Sequence, residues 1–352
     1  MRDRLLDLLR CPECSGQFDL EKIELSGDET STGVLSCDDR HFYPVVGGIP
    51  RMLPNSLREH WPFMKAVLAG RKPRVLASLL EGESSENGND AYDLRTKQNF
   101  SKEWDNHDIG GKTWGMELSD RIQWFFLDSI RIPKEDLNGK IMLDAGCGNG
   151  SQSVAYTRFG LEVIALDLST GVEKGEAFRK VFKSGRPENV HFVQADLQRP
   201  PLAAGSFDII HSAGVLHHTP NTKNTFRALT PLLKENGTFY AWLYKYEKIV
   251  TPIVNSMRSI TTRVPSPVFA GIANAAAVSF IWFCWTINKL GIRKYETLNR
   301  REAVIAVHDI FGAPYAHYHD FEEVSRWFRL AGFGEIWACN DDRRGFGVCG
   351  RL

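Results

Sequence analysis

The chain has 352 residues, 43% of them hydrophobic and 24% charged, with 43 Lys and Arg set against 43 Asp and Glu. That length suits one large domain with a smaller appendage, and the even charge argues against a nucleic-acid partner, which needs excess positive charge on one surface. The seven cysteines are odd in number and scattered, and the N-terminus MRDRLLDLLR lacks the apolar core of a secretory signal. Both features suit reduced thiols and a cytoplasmic location.

Cys11-Pro-Glu-Cys14 comes first, a C-x-x-C knuckle whose turn can present two thiolates to zinc. Cys37 begins a second knuckle, but Arg40 stands where its partner belongs, and His41 is offset by one residue. Two readings stay open: a zinc site of Cys11, Cys14 and Cys37 completed by His41 or water, and a metal-free relic packed by apolar residues. A module over 1–55 and a linker over 56–91 are expected, because LEGESSENGND at 80–90 favours a flexible connection. Phe100, Trp104 and Trp114 follow. They are packing anchors, or an aromatic lid able to face a cation.

The apolar run Lys140–Leu143 ends in Asp144, and glycines then alternate at 146, 148 and 150. This reads as a buried strand, a tight turn and a helix opening near Ser151. A dinucleotide loop wants G-x-G-x-x-G, but Ser151 holds the third position, which weakens a nicotinamide reading. A second strand, LEVIALD, closes on Asp167, roughly 20 residues past the loop and well placed for a ribose diol. Strands 189–194, 207–212 and 237–243 continue the alternating series, the first followed by Ala195-Asp196, suited to an adenine amino group.

The ordered set LDAGCGNG, Asp167, Ala195-Asp196 and SFDIIHSAGVLHHTPN resembles the class I S-adenosylmethionine-dependent methyltransferases. The resemblance covers about residues 96–245 and resumes near the C-terminus. It implies an α/β fold: a doubly wound, Rossmann-like seven-stranded sheet with an antiparallel C-terminal hairpin. It also implies S-adenosylmethionine as cofactor, held by Gly146, Gly148 and Gly150 along the methionyl portion, by Asp167 on the ribose and by Asp196 at the adenine. Asp144, Leu197 and Trp104 complete that expected set. The N-terminal sequence RCPEC…YPVVGGIPRMLP is similar to the zinc-ribbon-like methyltransferase activators, which implies an interaction module.

The expected core thus spans 92–245, a helical insertion 246–318, and the closing part of the sheet 319–352. Within the insertion, 264–288 carries no charge and could span a bilayer by length. Its interruption of an enzyme domain favours instead a buried helical cover or homodimer contact, or contact with a membrane surface. Catalytic candidates are His217, beside His218, and Tyr244, beside Tyr246. Tyr315 and His317 join them from the run HDIFGAPYAHYHD, which also holds His308 and His319. Three functions are weighed: methyl transfer to a small-molecule metabolite or natural product; a cyclase of the same fold releasing methylthioadenosine and azetidine-2-carboxylate; and a cofactor-binding, partner-dependent regulator.

Overall fold

Two sheets sharing one boundary organise the computed structural model, which describes residues 1–39, 41–53, 59–60, 90–113, 115–264, 266–291, 300–342 and 344–352. Most of the expected linker 56–91 and Trp114 lie outside the described residues.

The first sheet follows a short helix α1 (Arg4–Leu8) and comprises β1 (Asp19–Ser26), β2 (Glu29–Ser36), β3 (Phe42–Val46) and β4 (Ile49–Pro50). All neighbours in it are antiparallel. The second sheet contains β5 (Ile141–Ala145), β6 (Glu162–Asp167), β7 (Val190–Gln194), β8 (Phe207–Ala213), β9 (Leu233–Tyr244), β10 (Glu335–Cys339) and β11 (Gly345–Arg351). Its spatial order is β10-β11-β9-β8-β5-β6-β7. The five strands β5 to β9 run parallel, and the β10–β11 hairpin closes antiparallel on β9, as the resemblance implies. Val163 to Leu166 are wholly buried, which is why this strand reads as a continuous apolar run rather than an alternating one.

Helix α2 (Asp90–Asn106) precedes the sheet, and Leu118–Ile122 begins a further helical segment, α3. The crossovers carry α4 (Ser151–Tyr156), α5 (Gly171–Val181) and α6 (Thr222–Leu229). Asn221 opens α6 by accepting a 3.0 Å hydrogen bond from the Asn224 N–H, satisfying a donor that the first turn leaves unpaired. The chain reverses direction across the sheet between β5 and β8, so a crevice opens beyond their carboxyl ends.

The N-terminal module is packed into this body. Leu35, Val45 and Met52 share one apolar cluster with Val193, Ala195 and Leu202. A bridge pairs Arg51 with Gln194 in parallel, and the Met52 N–H donates to the Gln194 carbonyl at 2.8 Å. Arg179 of α5 reaches Glu29 at 2.6 Å and Glu176 at 2.7 Å, and Arg2 adds a 2.7 Å contact to Glu29.

The insertion folds as α7 (Val250–Thr261), α8 (Ser266–Lys289) and α9 (Arg300–Val307), and returns through a π-turn at His308–Gly312. Then α10 (Phe321–Leu330) leads into the closing hairpin. Of the readings of the uncharged stretch, the buried cover within one chain is corrected here: in the window Gly271–Lys289 only 17% of residues are buried. The body covers one narrow stripe of α8, because α9 and the π-turn are too short to enclose it.

Candidate active site

Three carboxylates stand along the carboxyl edge of the parallel strands: Asp144 next to last in β5, Asp167 ending β6 and Asp196 just beyond β7. Between the first two, Gly146, Gly148 and Gly150 take φ values of +90°, +57° and +69°. Space as well as φ demands glycine. A Cβ at 146 would lie 2.3 Å from Val215, and one at 148 would lie 2.3 Å from the Trp104 ring.

Asp167 ties this loop together. Its Oδ2 accepts from the Gly148 N–H at 2.8 Å, and its Oδ1 accepts from the Ser169 N–H at 2.8 Å and the Ser169 hydroxyl at 2.6 Å. Burial pushes its carboxyl above the ordinary range, and these hydrogen bonds offset only part of the rise. Asp144 accepts from the Ser153 hydroxyl at 2.6 Å and lies 3.5 Å from His211 Nδ1. Asp196 accepts from the Gln198 N–H at 2.9 Å, and burial raises its carboxyl as well.

These groups line one cavity of about 1100 Å³, counting its open mouth. Asp144, Gly146, Asp167, Asp196, Leu197 and Trp104 of the expected set reach its wall, whereas Gly148 and Gly150 support it from behind. Helix α2 forms the lid, turning Thr96, Phe100, Glu103 and Trp104 inward. Its last turn is fastened by Lys174, whose Nζ donates to the carbonyls of Trp104 at 2.8 Å and Asp105 at 2.7 Å.

Glu103 was not anticipated. Its Oε2 is buried and makes no hydrogen bond among the described residues. Burial first, then the nearby Asp309 and Asp167 charges, push its carboxyl well above the ordinary range. With Glu103 and Asp309, five carboxyl side chains line the cavity, and no Lys or Arg does among the described residues. Such a wall favours a cation.

The predicted catalytic residues divide. His218 lines the cavity, but both its ring nitrogens are engaged: Nδ1 lies 2.9 Å from the Tyr315 carbonyl and Nε2 lies 3.3 Å from Asp309 Oδ1. His217 sits behind it, fully buried, its ring 3.9 Å from that of Tyr244, and burial drives its pKa well below the ordinary value. Tyr244 reaches the cavity only through Asp309. Tyr315 contributes a carbonyl, and the His317 N–H donates to the His217 carbonyl at 2.9 Å. His319 links Thr222 at 3.1 Å to Glu323 at 3.0 Å, pinning α6 to α10. The structure thus brings the His/Tyr set together as a packed wall that meets the cavity through His218 and Asp309. Asp309 and His211, both cavity-lining, were also missed.

A second cluster lies in the module. Cys11, Cys14, Cys37 and His41 place their ligand atoms within 4.8 Å of one another. The Cys14–Cys37 sulfurs are 3.6 Å apart, and His41 Nδ1 lies 3.4 Å from Cys11 Sγ and 3.5 Å from Cys37 Sγ. Tetrahedral zinc with its usual bond lengths needs edges of about 3.8 Å between sulfurs and about 3.5 Å from sulfur to nitrogen. The donors fit that ion, and His41 supplies the fourth place despite its sequence offset.

Residues 143–241 match a family model described as a methyltransferase domain. The ubiquinone biosynthesis O-methyltransferase of Aromatoleum aromaticum is 34% identical over 106 residues, 30% of this chain and 44% of that protein. The malonyl-[acyl-carrier protein] O-methyltransferase of Legionella pneumophila is 30% identical over 143 residues, 39% of this chain and 45% of that protein. The match therefore spans less than half the length of either relative. Among solved structures, magnesium protoporphyrin IX methyltransferase from Synechocystis with bound S-adenosylhomocysteine aligns with a TM-score of 0.45 at 14% identity, over 75% of this chain and 98% of that one.

Proposed function

The body of this chain is a class I S-adenosylmethionine-dependent methyltransferase domain, and from that premise we propose that the protein transfers the methyl group to a small-molecule acceptor. The observation that carries the reading is the cavity wall: a glycine loop, three strand-end carboxylates and an aromatic lid, with five carboxyl groups and, among the described residues, no Lys or Arg. That wall suits a positively charged cofactor. When bound, S-adenosylmethionine supplies a methyl group already activated on a sulfonium, so alignment of the acceptor accounts for much of the rate.

In this reading the Gly146–Gly150 backbone lies along the methionyl portion. Asp167 holds the ribose and Asp196 the adenine, with Leu197 beneath. Trp104 offers an aromatic face to the cation, a contact worth about 0.5–2 kcal/mol. Glu103 is the group with a free buried oxygen and a raised proton affinity, and we assign it the acceptor's proton. Its affinity for that proton would rise further as the neighbouring positive charge is lost in transfer, which couples the two events. Asp309, His218 and Tyr244 position the acceptor side. The module's Cys11, Cys14, Cys37 and His41 would hold one zinc ion as a structural brace, since all four coordination places are filled by protein.

The test is incubation of the protein with S-adenosylmethionine, alone and with a metabolite panel, followed by mass spectrometry. Acceptor-dependent S-adenosylhomocysteine supports methyl transfer. Methylthioadenosine formed from the cofactor alone would overturn it in favour of intramolecular cyclisation.

A further inference from the structure

Helix α8 is built inside out. The side chains it turns toward the body are Phe269 and the small Ala273, Ala277 and Cys284, while Ile272, Val278, Trp282 and Trp285 face outward, the two tryptophans 64% and 51% exposed. A helix settled on its own protein puts its bulky apolar residues inward and its polar ones outward. Helix α7 likewise leaves Ile253, Met257 and Ile260 exposed, at i, i+4 and i+7 on one side of the helix. Helix α8 presents its apolar face along 24 residues, about 36 Å.

Charge brackets this face. No Lys, Arg, Asp or Glu occurs in 264–288, yet exposed Arg263 and Lys289 stand at the two ends, and the Lys289 Nζ lies 4.9 Å over the Trp285 ring. Lys248, before α7, and Arg300, at the start of α9, are exposed as well. We propose that the outer faces of α7 and α8 dock on the surface of an anionic phospholipid bilayer. The apolar side chains enter the acyl boundary, and the basic ends, with Trp beside Lys, meet the headgroups.

Two other occupants fit less well. A second copy of this chain would bring the same basic flanks to its contact, which repel. A spanning helix would have to leave the body, whereas α8 buries Phe269, Ala273, Ala277 and Cys284 against it, and near its start Phe269 packs on Gly312, where a Cβ would lie 2.7 Å from its ring, and meets His308 at 5.1 Å. The same π-turn carries Asp309 into the cavity, so one turn joins the docking face to the site. The surface is read from packing and charge and does not depend on the chemistry proposed for the cavity.

The experiment is flotation of the full chain with phosphatidylcholine vesicles, with and without phosphatidylglycerol. Co-flotation with the anionic vesicles, weaker by about tenfold or more on neutral ones or at high salt, is expected. The double variant Trp282→Glu, Trp285→Glu should lose it while keeping wild-type circular dichroism and cofactor affinity. A second readout needs no variant: brominated acyl chains should quench the tryptophan fluorescence of the wild type. Failure to float with anionic vesicles, equal flotation of the variant, or retention on vesicles after alkaline carbonate would each overturn the proposal. A dimer that dissociates in the variant, without vesicle binding, would assign the face to a second copy instead.

Discussion

The Tyr244 hydroxyl donates to Asp309 Oδ2 at 2.5 Å across 65 residues of chain, joining the end of β9 to the turn that returns from the helical insertion. Burial acts to raise the Asp309 carboxyl, but hydrogen bonds from His218 and Tyr244 outweigh it and hold it below the ordinary range. Removing the donor in Tyr244→Phe should let that carboxyl rise. The acid limb of kcat/KM against pH then moves to higher pH, while cofactor affinity stays unchanged because Tyr244 does not line the cavity. An unmoved acid limb would remove Asp309 from the working part of the site.

Asp167→Ala should weaken S-adenosylmethionine binding by roughly 1.5–3 kcal/mol, the worth of hydrogen bonds to a charged group. The loss has two sources, since the same oxygens order the glycine loop through the Gly148 and Ser169 N–H groups. Titration calorimetry decides it. Unchanged affinity would sink the assignment.

Glu103→Gln separates the cost of a buried carboxyl from its use. The folded protein binds this proton more tightly than the unfolded chain does, so the wild type loses stability as pH rises above the unfolded carboxyl value toward the raised folded one. The Gln variant escapes that loss. Urea unfolding of the cofactor-free protein should show it gaining about 1–3 kcal/mol over wild type at about pH 8 and little at about pH 4.

The Cys/His cluster predicts one zinc per chain by elemental analysis, falling toward zero in Cys37→Ala. Prolonged chelation should lower the melting temperature, because metal binding to a folded site is folding free energy. Full retention of stability after the metal is stripped would return the module to the relic reading.

The cofactor half of the site was legible in the sequence because it is made of backbone turns and strand ends. Asp144 lies in the last two residues of β5, Asp167 ends β6 and Asp196 follows β7, and buried parallel strands announce themselves as apolar runs. The acceptor half depends on which way side chains point. His217 and His218 are neighbours in a short 3₁₀ turn, yet only His218 reaches the cavity. Nothing in the pair of letters distinguishes them. Glu103 left a usable trace: Thr96, Phe100, Glu103 and Trp104 fall on one face of a helix, the spacing of a buried stripe. Asp309 was hidden among five more conspicuous histidines and tyrosines. Burial of α8 within its own chain was one of the readings offered, and the sequence could not decide among them because an uncharged stretch carries no information on what covers it.

The bridge between Arg51 and Gln194 has a consequence for the molecule as a whole. β7 is the last parallel strand of the large sheet, and its outer row of backbone groups would otherwise face solvent. An open strand edge of that kind invites pairing with another chain. The Arg51 bridge, the Met52 N–H on the Gln194 carbonyl and the Arg51 guanidinium on the Gln194 side chain at 3.0 Å occupy the end of that row nearest the cavity. The module therefore acts as an edge guard. A chain trimmed of its first 53 residues would be expected to self-associate through β7 before its chemistry could be assayed.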